Sequence, residues 1–305
     1  MSTVGKPAVS QLSVERLTSR VNDVPGDGMG AQPSTDEPLR DEVRENRWML
    51  SATRLRDFDF TWSLASLVGG LVLWEVVARA ADVIFFPPIT DVFGRLMDLV
   101  GDGKILSDLR RSVMNLLMGF GIAALAGVFV GVMMGRFRII EKMLDPYVIA
   151  FMTAPSVVFT PIYFSIFGLE RWSIVFLIVQ YSVFIVIVNT VTAVHSVDRE
   201  LVEMAAVFGA REHERLFKIV LPASMPLVMA GLRLGMGRAV KGMINGELLI
   251  AVVGLGATSQ NFARARDAEG VFAVLVVVVV VALVAVKLVE VVDRRVNSWL
   301  PNAQR

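Results

Sequence analysis

The sequence predicts an all-α fold, that of a polytopic membrane protein with six transmembrane helices. The 305-residue chain is 54% hydrophobic and its mean hydropathy is +0.61. Soluble domains do not reach that average, so composition alone indicates a membrane protein. Apolar segments about as long as a spanning helix, which needs roughly 20 mostly apolar residues, also recur along the chain.

The composition also excludes several classes of function. The net charge is +1, which argues against a nucleic-acid binder with a basic face. The chain has no cysteine, so disulfides, thiolate chemistry and cysteine-ligated metals are excluded. His195 and His213 are its two histidines, too few for a histidine metal site within one chain. We therefore predict no catalytic residues, no metal and no cofactor.

Residues 1–59 are predicted to be a disordered cytoplasmic tail. Their composition, with "VPGDGMGAQPSTDEP" as its clearest stretch, has too few apolar residues to bury a core. An interfacial helix over Arg40–Leu55, with Trp48, Met49 and Leu50 at the bilayer surface, is the alternative for part of this tail. A solvated tail without a specific role is the favoured interpretation.

Residues 60–296 are predicted to form the transmembrane domain, and 297–305 a short cytoplasmic tail. The fifth predicted span is the least regular, because charged residues interrupt it. The six spans are Phe60–Ala81, Ser112–Gly135, Met143–Phe167, Trp172–Val194, Ala223–Val253 and Val271–Val292.

The distribution of basic residues predicts the orientation. Positive charges favour the cytoplasmic side of short loops. Both termini and the segment 198–222 are therefore predicted to be cytoplasmic, in a cell (inner or plasma) membrane. The bias is moderate, because Arg95, Lys104 and Arg110 fall on the outer side. The supporting residues are Arg136, Arg138, Lys142, Arg199, Arg211, Arg215, Lys218, Arg294 and Arg295.

The polar segment 198–222 is predicted to contain two short helices. Asp198 can cap the first helix, and Gly209 can end it in a left-handed turn. Arg211–Lys218 is predicted to form a second, charged piece, and Pro222 to force a break before the fifth span. The first helix has an apolar stripe at helical spacing, formed by Leu201, Met204, Ala205 and Phe208.

This segment resembles the EAA loop of ABC-importer permeases. The resemblance lies in the spacing E-x-A-x-x-x-G-x(9)-I-x-L-P, and Met204 stands where the family usually has alanine. In that family a short coupling helix of this loop docks into a cleft of the ATPase subunit. The resemblance therefore implies an ATPase-coupling role for Glu203, Met204, Ala205, Ala206, Phe208, Gly209, Ile219, Leu221 and Pro222.

Three further segments resemble permeases of the nitrate, sulfonate and taurine type: "FPPITDVFGRLMDLV", "NTVTAVHSVDREL" and "AGLRLGMGRAVKGMINGELL", the last followed by "GLG" at 254–256. The resemblance implies a type I ABC-importer permease fold. It also implies the partners of such a permease: ABC ATPase subunits, an extracytoplasmic substrate-binding protein and a second permease copy, with a homodimer favoured. The chain lacks the G-x(4)-G-K-[ST] phosphate loop, so the ATPase is expected to be a separate subunit.

Charges in the fifth span are the candidates for a substrate path. A charge near the bilayer centre costs about 2.5–3.5 kcal/mol on insertion scales, so it usually faces a cavity or a partner. The excess of positive charge favours a small anion, such as a sulfonate, nitrate or organic carboxylate. Snorkelling or an intersubunit salt bridge remains an alternative for Lys241, and a structural pairing for Arg238 with Glu247. The candidates are Arg233, Arg238, Lys241, Asn245 and Glu247.

Smaller features carry structural expectations. Pro155 and Pro161 can kink the third span and expose carbonyls toward a cavity, although shaping the packing alone is the favoured interpretation. Glu75 and Arg79 are predicted to pair along one helix face, and Lys287 and Glu290 to snorkel or to pair. The glycines of the second span suit close helix packing, within the chain or at a dimer seam. They are Gly119, Gly121, Gly127, Gly131 and Gly135.

Two other functions compete with the importer hypothesis. A secondary transporter or channel driven by an ion gradient would explain the charges within the spans, but not the spacing of the 198–222 loop. No inverted repeat is recognisable either. A membrane enzyme is disfavoured, since no nucleophile–base pair or metal cluster can be identified in the sequence.

Overall fold

The computed structural model describes residues 62, 65–81, 83, 85–250 and 252–298. It divides into two units, Met1–Val68 and Gly69–Arg305. Within the first unit, residues 62 and 65–68 are helical. The predicted tail over 1–59, with its interfacial helix, and most of the tail over 297–305 lie outside the described residues.

The described part of the second unit is helical and contains no strand. A 3₁₀ turn at Ser156–Phe159 and a π-helical turn at Leu216–Val220 complete the helices. In chain order the helices are α1 (69–81), α2 (Ile89–Gly101), α3 (Lys104–Arg136), α4 (Arg138–Thr153), α5 (Thr160–Phe167), α6 (Arg171–His195), α7 (Arg199–Val207), α8 (Glu212–Arg215), α9 (Leu221–Ile250), α10 (Gly254–Ala265) and α11 (Ala268–Val296).

Among the described residues, four helical stretches are long and apolar enough to cross a membrane. They are α3, α6, the stretch Glu212–Ile250 that ends in α9, and α11. A fifth crossing is formed if α4 and Ser156–Phe167 make one broken span, bent by 96°. These agree with the second to sixth predicted spans, whereas the first lies partly outside the described residues.

The bend in the third predicted span has a local cause. Ala154 is extended, with ψ 138°, because the ring of a following proline disfavours helical geometry in the preceding residue. Pro155 therefore separates α4 from the 3₁₀ turn, as predicted. Pro161 lies in the first turn of α5, where its missing N–H interrupts no hydrogen bond. Pro155 alone accounts for the kink.

Helix α6 is the centre of the bundle, and α3 packs along it in parallel. The two helices touch through glycines of α3. Glycines further along α3 lie against residues further along α6, which shows that the helices run in the same direction. A Cβ added to Gly119 would lie 2.6 Å from the side chain of Ile178, and one added to Gly131 would lie 2.6 Å from that of Thr190. The predicted close packing occurs within the chain for Gly119, Gly127, Gly131 and Gly135, which lie against α6, whereas a Cβ on Gly121 would meet no atom within 4 Å.

Helix α9 packs on α6 in the antiparallel direction, again through glycines. A Cβ on Gly231 would lie 2.5 Å from the Asn189 side chain, and one on Gly246 would lie 3.3 Å from that of Leu177. Small residues permit such close approach of helix backbones, which is how helices associate in lipid. The main apolar core lies beside these contacts, around Ile178, Met236, Met243 and neighbouring side chains.

Helices α2, α10 and the first turns of α11 pack together at the end of the bundle where α3 and α6 begin. Their cluster includes Val92, Leu255 and Val274, all at least nine-tenths buried. Trp74 of α1 reaches this cluster through an edge-on contact with Phe272, whose ring centroid lies 5.5 Å away. It also stacks on Phe86 and donates its indole N–H to the carbonyl of Pro87 at 3.1 Å. The opposite end of the bundle carries the segment 198–222.

The two predicted ion pairs within helices are present. Arg79 Nε lies 2.6 Å from Glu75 Oε1. Lys287 Nζ lies 3.0 Å from Glu290 Oε2. Glu75 also accepts a hydrogen bond from the Thr90 hydroxyl at 2.9 Å, so the first pair links α1 to the start of α2.

The predicted break at Pro222 is wrong. The π-helical turn at Leu216–Val220 leads directly into α9, and Pro222 occupies the first turn of that helix. Proline interferes with an ordinary helix because it lacks an N–H and its ring clashes with the carbonyl four residues earlier. The wider π turn changes that local hydrogen-bonding pattern, so the chain continues helically past the proline.

We expect Gly131→Val to destabilise the bundle and Gly121→Val to leave its stability nearly unchanged. A Cβ at Gly131 would lie 2.6 Å from Thr190 Cβ and 2.9 Å from the Ile187 carbonyl oxygen, whereas one at Gly121 meets no atom within 4 Å. Overpacking typically costs about 1–3 kcal/mol. Thermal unfolding of both purified variants in detergent measures the difference, and equal unfolding temperatures would contradict the close contact.

Candidate functional site

The segment 198–222 begins with a well-terminated helix, α7. The Asp198 carboxylate caps it by accepting a hydrogen bond from the Glu200 N–H at 3.0 Å. At its other end the Gly209 N–H donates to the Ala206 carbonyl and the Ala210 N–H to the Ala205 carbonyl, both at 3.0 Å. This pair of bonds is the Schellman motif, which needs a left-handed residue at its turn. Gly209 supplies it with φ +81°, as the sequence predicted.

One face of α7 is apolar and uncovered by the described residues. The exposed fractions are 46% for Leu201, 54% for Met204, 86% for Val207 and 85% for Phe208. Sequence reasoning missed Val207, although it lies three residues after Met204 and so on the same helix face. Three apolar side chains on this nine-residue helix, together with Phe208 at its C-cap, form a surface that water solvates poorly.

The other face of α7 attaches the loop to the bundle. Val202 packs against a small cluster in which Val132 of α3, Val194 of α6 and Val220 of the π turn are at least nine-tenths buried. Leu221 packs on the same cluster. The loop therefore rests on two helices of the bundle, α3 and α6, and on its own π turn, which leads into α9.

Charged side chains add a second attachment. Glu212 of α8 forms ion pairs with Arg136, at the end of α3, and with Arg215. The Arg211 N–H donates to Glu214 at 3.0 Å, and Lys218 pairs with the same carboxylate at 2.9 Å. Each exposed pair stabilises by only about 0–1 kcal/mol, so these contacts set the position of the loop more than its stability.

The remaining residues for which the resemblance implies a coupling role fall into an exposed group and a half-buried group. Glu203 and Ala206 are exposed, and Glu203 forms no ion pair with any described residue. Ala205, Ile219, Leu221 and Pro222 are half-buried. The loop thus brings the exposed members together on α7, while the later members join it to α9.

Glu247 of α9 has a different environment from the one the sequence led us to expect. Its side chain is fully buried at 0% exposure. Its carboxylate accepts hydrogen bonds from the Ser112 hydroxyl at 2.8 Å and from the Gly256 N–H at 3.1 Å. The Ser112 oxygen in turn accepts from the Leu255 N–H at 2.9 Å. Glu247 therefore joins α3, α9 and the first turn of α10.

The glycines of "GLG" make room for this carboxyl group. A Cβ on Gly254 would overlap the Glu247 carboxyl group, and one on Gly256 would lie 2.6 Å from Glu247 Cβ. Gly254 also has φ +88°, which side-chain-bearing residues rarely adopt. Arg238 is exposed and forms no ion pair with any described residue, so its expected pairing with Glu247 is wrong.

The other candidate path residues are not equivalent. Arg233 is neutralised by Asp293 of α11 at 2.6 Å. Asn245 donates to the Tyr181 hydroxyl at 2.8 Å. Lys241 is exposed, like Arg238, and it forms no ion pair among the described residues. Helical spacing places both cations on one exposed stripe of α9 with Leu227 and Leu234.

No group of three or more potential metal ligands occurs among the described residues. The described residues thus present an exposed apolar helix face, a buried carboxyl network and an exposed cationic stripe on long apolar helices.

Comparison with known proteins identifies the family. The model of the family described as "Binding-protein-dependent transport system inner membrane component" matches residues 123–298, more than half of the chain. The chain belongs to this family, and it is the permease subunit of an ABC importer located in the inner membrane. Membership decides against the secondary transporter or channel and against the membrane enzyme.

Two relatives illustrate the similarity. The taurine transport system permease protein of Escherichia coli strain K12 is 26% identical over 271 residues, covering 87% of this chain and 96% of the relative. The formylaminopyrimidine transport permease protein of Halalkalibacterium halodurans is 28% identical over 204 residues, covering 67% of this chain and 81% of the relative. The chain is thus similar to permeases that are named for different solutes.

A solved structure supports the fold. The methionine ABC transporter MetNI, in an inward-facing conformation, has a chain that matches with a TM-score of 0.55 at 15% identity. The match covers 61% of this chain and 93% of that one. At this identity the likeness establishes the type I permease fold alone.

We expect Glu247→Ala to destabilise the junction of α9 and α10 more than Glu247→Gln. Alanine leaves the Gly256 N–H and the Ser112 hydroxyl without an acceptor, at a cost of about 1–3 kcal/mol for each buried polar group left unpaired. Glutamine keeps one acceptor oxygen. Thermal unfolding, together with hydrogen exchange of the Leu255 and Gly256 amides, measures the effect. Equal losses in both variants would contradict the acceptor role.

Proposed function

We propose that this permease imports a small anionic solute delivered by an extracytoplasmic binding protein. ATP hydrolysis by partner ATPases would be coupled to this movement through the segment 198–222. The exposed apolar face of α7 is the observation that carries the proposal. The anion class comprises sulfonates, nitrate and organic carboxylates.

The chemistry of α7 fits a docking helix. Val207 and Phe208 are more than four-fifths exposed, and burying one such side chain contributes about 1.5–3 kcal/mol. The occupant that fits is an apolar cleft with a polar rim, since the same segment also carries the exposed Glu203 and the charged helix α8. A cleft of this kind on an ABC ATPase is the partner that the family implies.

The attachments of α7 allow a displacement to reach the spans. Its buried side rests on Val132, Val194 and Val220, which belong to α3, α6 and the turn before α9. Packed side chains transmit displacement because interiors are dense and hardly compressible. A movement of α7 caused by the ATPase would therefore move these three helices together rather than the loop alone.

The orientation follows from charge. Segment 198–222 shares its end of the bundle with Arg136, Arg138 and the last turn of α11, which contains Arg294 and Arg295. Basic residues near membrane helices favour the cytoplasmic side. We place this end and both termini in the cytoplasm, so that the opposite end, with α2 and α10, faces the binding protein.

A second copy of the chain is the proposed partner within the membrane. The exposed stripe of α9 carries Arg238 and Lys241, and unpaired charges facing lipid are costly. One permease chain has one coupling loop, whereas closure of two ATPases requires two. An isologous homodimer with the two α9 stripes facing each other would satisfy both requirements and line the path with positive charge.

The proposed solute class rests on the positive charge of the α9 stripe and on the name of the taurine permease relative. With Arg233 neutralised by Asp293, the unpaired cations of α9 are Arg238 and Lys241 among the described residues. The name of the taurine permease indicates a sulfonate, which such cations suit. The name of the formylaminopyrimidine relative indicates a neutral heterocycle instead. Uptake measurements must therefore exclude a neutral heterocycle as the solute.

We expect Phe208→Asp to prevent ATPase binding. The aspartate would lose the apolar burial that Phe208 provides and would place an unpaired carboxylate in the cleft. The loss of a hot-spot residue costs about 2 kcal/mol, which corresponds to about a 30-fold loss of affinity. Co-purification with the co-expressed ATPase and uptake into proteoliposomes are the measurements. Leu106→Asp, at a residue 65% exposed at the opposite end, is the matched control. Normal assembly of the Phe208 variant would refute docking through α7.

Lys241→Met is expected to lower uptake of an anionic solute while the ATPase still co-purifies. Methionine matches the lysine side chain as far as Cε but lacks the charged Nζ. A lost charged hydrogen bond of about 1.5–3 kcal/mol corresponds to roughly tenfold or more in uptake. Proteoliposome uptake of taurine and of a neutral pyrimidine distinguishes the solute classes. Leu234→Met, on the same exposed stripe, serves as the control. Unchanged uptake would remove Lys241 from the path.

A further inference from the structure

A second cationic site lies at the other end of the bundle. A cavity of about 670 Å³ opens between the first turns of α3, the start of α6 and the segment joining α9 to α10. Its lining includes Arg110 and Arg111 of α3 and Arg171, the first residue of α6. Neither the coupling segment nor the α9 stripe contributes to it.

The cavity carries an excess of positive charge that the described residues do not neutralise. None of its three arginines forms an ion pair with a described residue. Glu170 is the one acidic residue in the lining, and it too forms no ion pair within that part of the chain. The positive end of the α6 dipole adds to the potential, since Arg171 begins that helix.

One of the arginines is held in place by a buried group. Arg171 Nε donates to Asn115 Oδ1 at 2.8 Å, and Asn115 is only 2% exposed. This bond fixes the guanidinium by one edge and leaves its terminal nitrogens for another acceptor. A planar guanidinium presents paired donors that match the oxygens of an oxyanion.

Part of the remaining lining is apolar. Met114, Leu169, Val252 and Val253 contribute aliphatic walls, beside the polar Ser107, Asn115 and Glu170. A ligand that fits therefore has an oxyanion group at one end and a short hydrocarbon part at the other. Inorganic anions would satisfy the arginines but leave these walls uncovered.

We propose that this cavity binds the oxyanion group of an amphiphilic ligand, either a soluble alkanesulfonate or the phosphate of an anionic lipid headgroup. The arginines hold the oxyanion, and the aliphatic walls hold the adjoining carbons. Val252 and Val253 precede the helix whose first turn is bonded to Glu247. The ligand therefore contacts the junction between α9 and α10 directly.

Binding to the full-length chain tests the site without requiring transport or an ATPase, so its failure is distinguishable from failure of the proposed import function. For the soluble anion, calorimetry measures butanesulfonate binding to the chain in phosphatidylcholine nanodiscs. For the lipid, native mass spectrometry counts the phosphatidylglycerol molecules that the chain retains from nanodiscs containing both lipids. The variants are Arg111→Gln and Arg171→Gln, and Arg264→Gln is the control, because Arg264 is an exposed arginine of α10 outside the cavity lining.

We expect each cavity variant to lower affinity for the bound ligand about tenfold, the usual effect of removing one charged hydrogen bond, while the control stays within about twofold. If the cavity variants lose butanesulfonate binding, the ligand of the cavity is a soluble organic anion. If they lose retained phosphatidylglycerol, the ligand is a lipid headgroup. If neither ligand depends on Arg111 or Arg171, the proposal is overturned. These arginines are exposed at the surface, and equal unfolding temperatures establish that the fold is retained.

Discussion

The close contact of α6 with glycines on two neighbouring helices is the constraint on which the rest of the structure depends. In lipid, the apolar surface of a helix gains little by touching another helix, so association relies on close packing. Gly119 and Gly131 of α3 face one side of α6, and Gly231 and Gly246 of α9 face another. These contacts fix the axial register of three long helices. The ends of α6 then determine where Arg171 and segment 198–222 lie.

Charges within this bundle are handled in two ways. Arg233 meets Asp293, and Glu247 receives hydrogen bonds from Ser112 and a backbone N–H. Their cost in a low-dielectric environment is reduced by these partners. Arg238 and Lys241 have no such partner among the described residues, and they lie on one stripe. The bundle thus separates charges that serve its own structure from charges available to something outside the protomer.

Segment 198–222 shows which features can be predicted from local sequence. The Asp198 cap and the left-handed Gly209 were predicted correctly, because capping and glycine turns involve residues only two to five positions apart. The break at Pro222 was predicted by the same kind of rule and is wrong, since a π turn carries the helix past the proline. The environment of Glu247 was missed, because Ser112 lies 135 positions away in the chain.

The sequence by itself determined the all-α class, the positions of four predicted spans and of the bent pair that corresponds to the third, the kink at Pro155 and the family that the 198–222 spacing indicates. These depend on apolar length, proline geometry and short-range spacing, which are readable from the order of residues. Tertiary structure alone decided which helix the glycines face, which charges are neutralised and that Arg110, Arg111 and Arg171 border one cavity. These depend on contacts between distant segments, because helical periodicity specifies a face but not its partner.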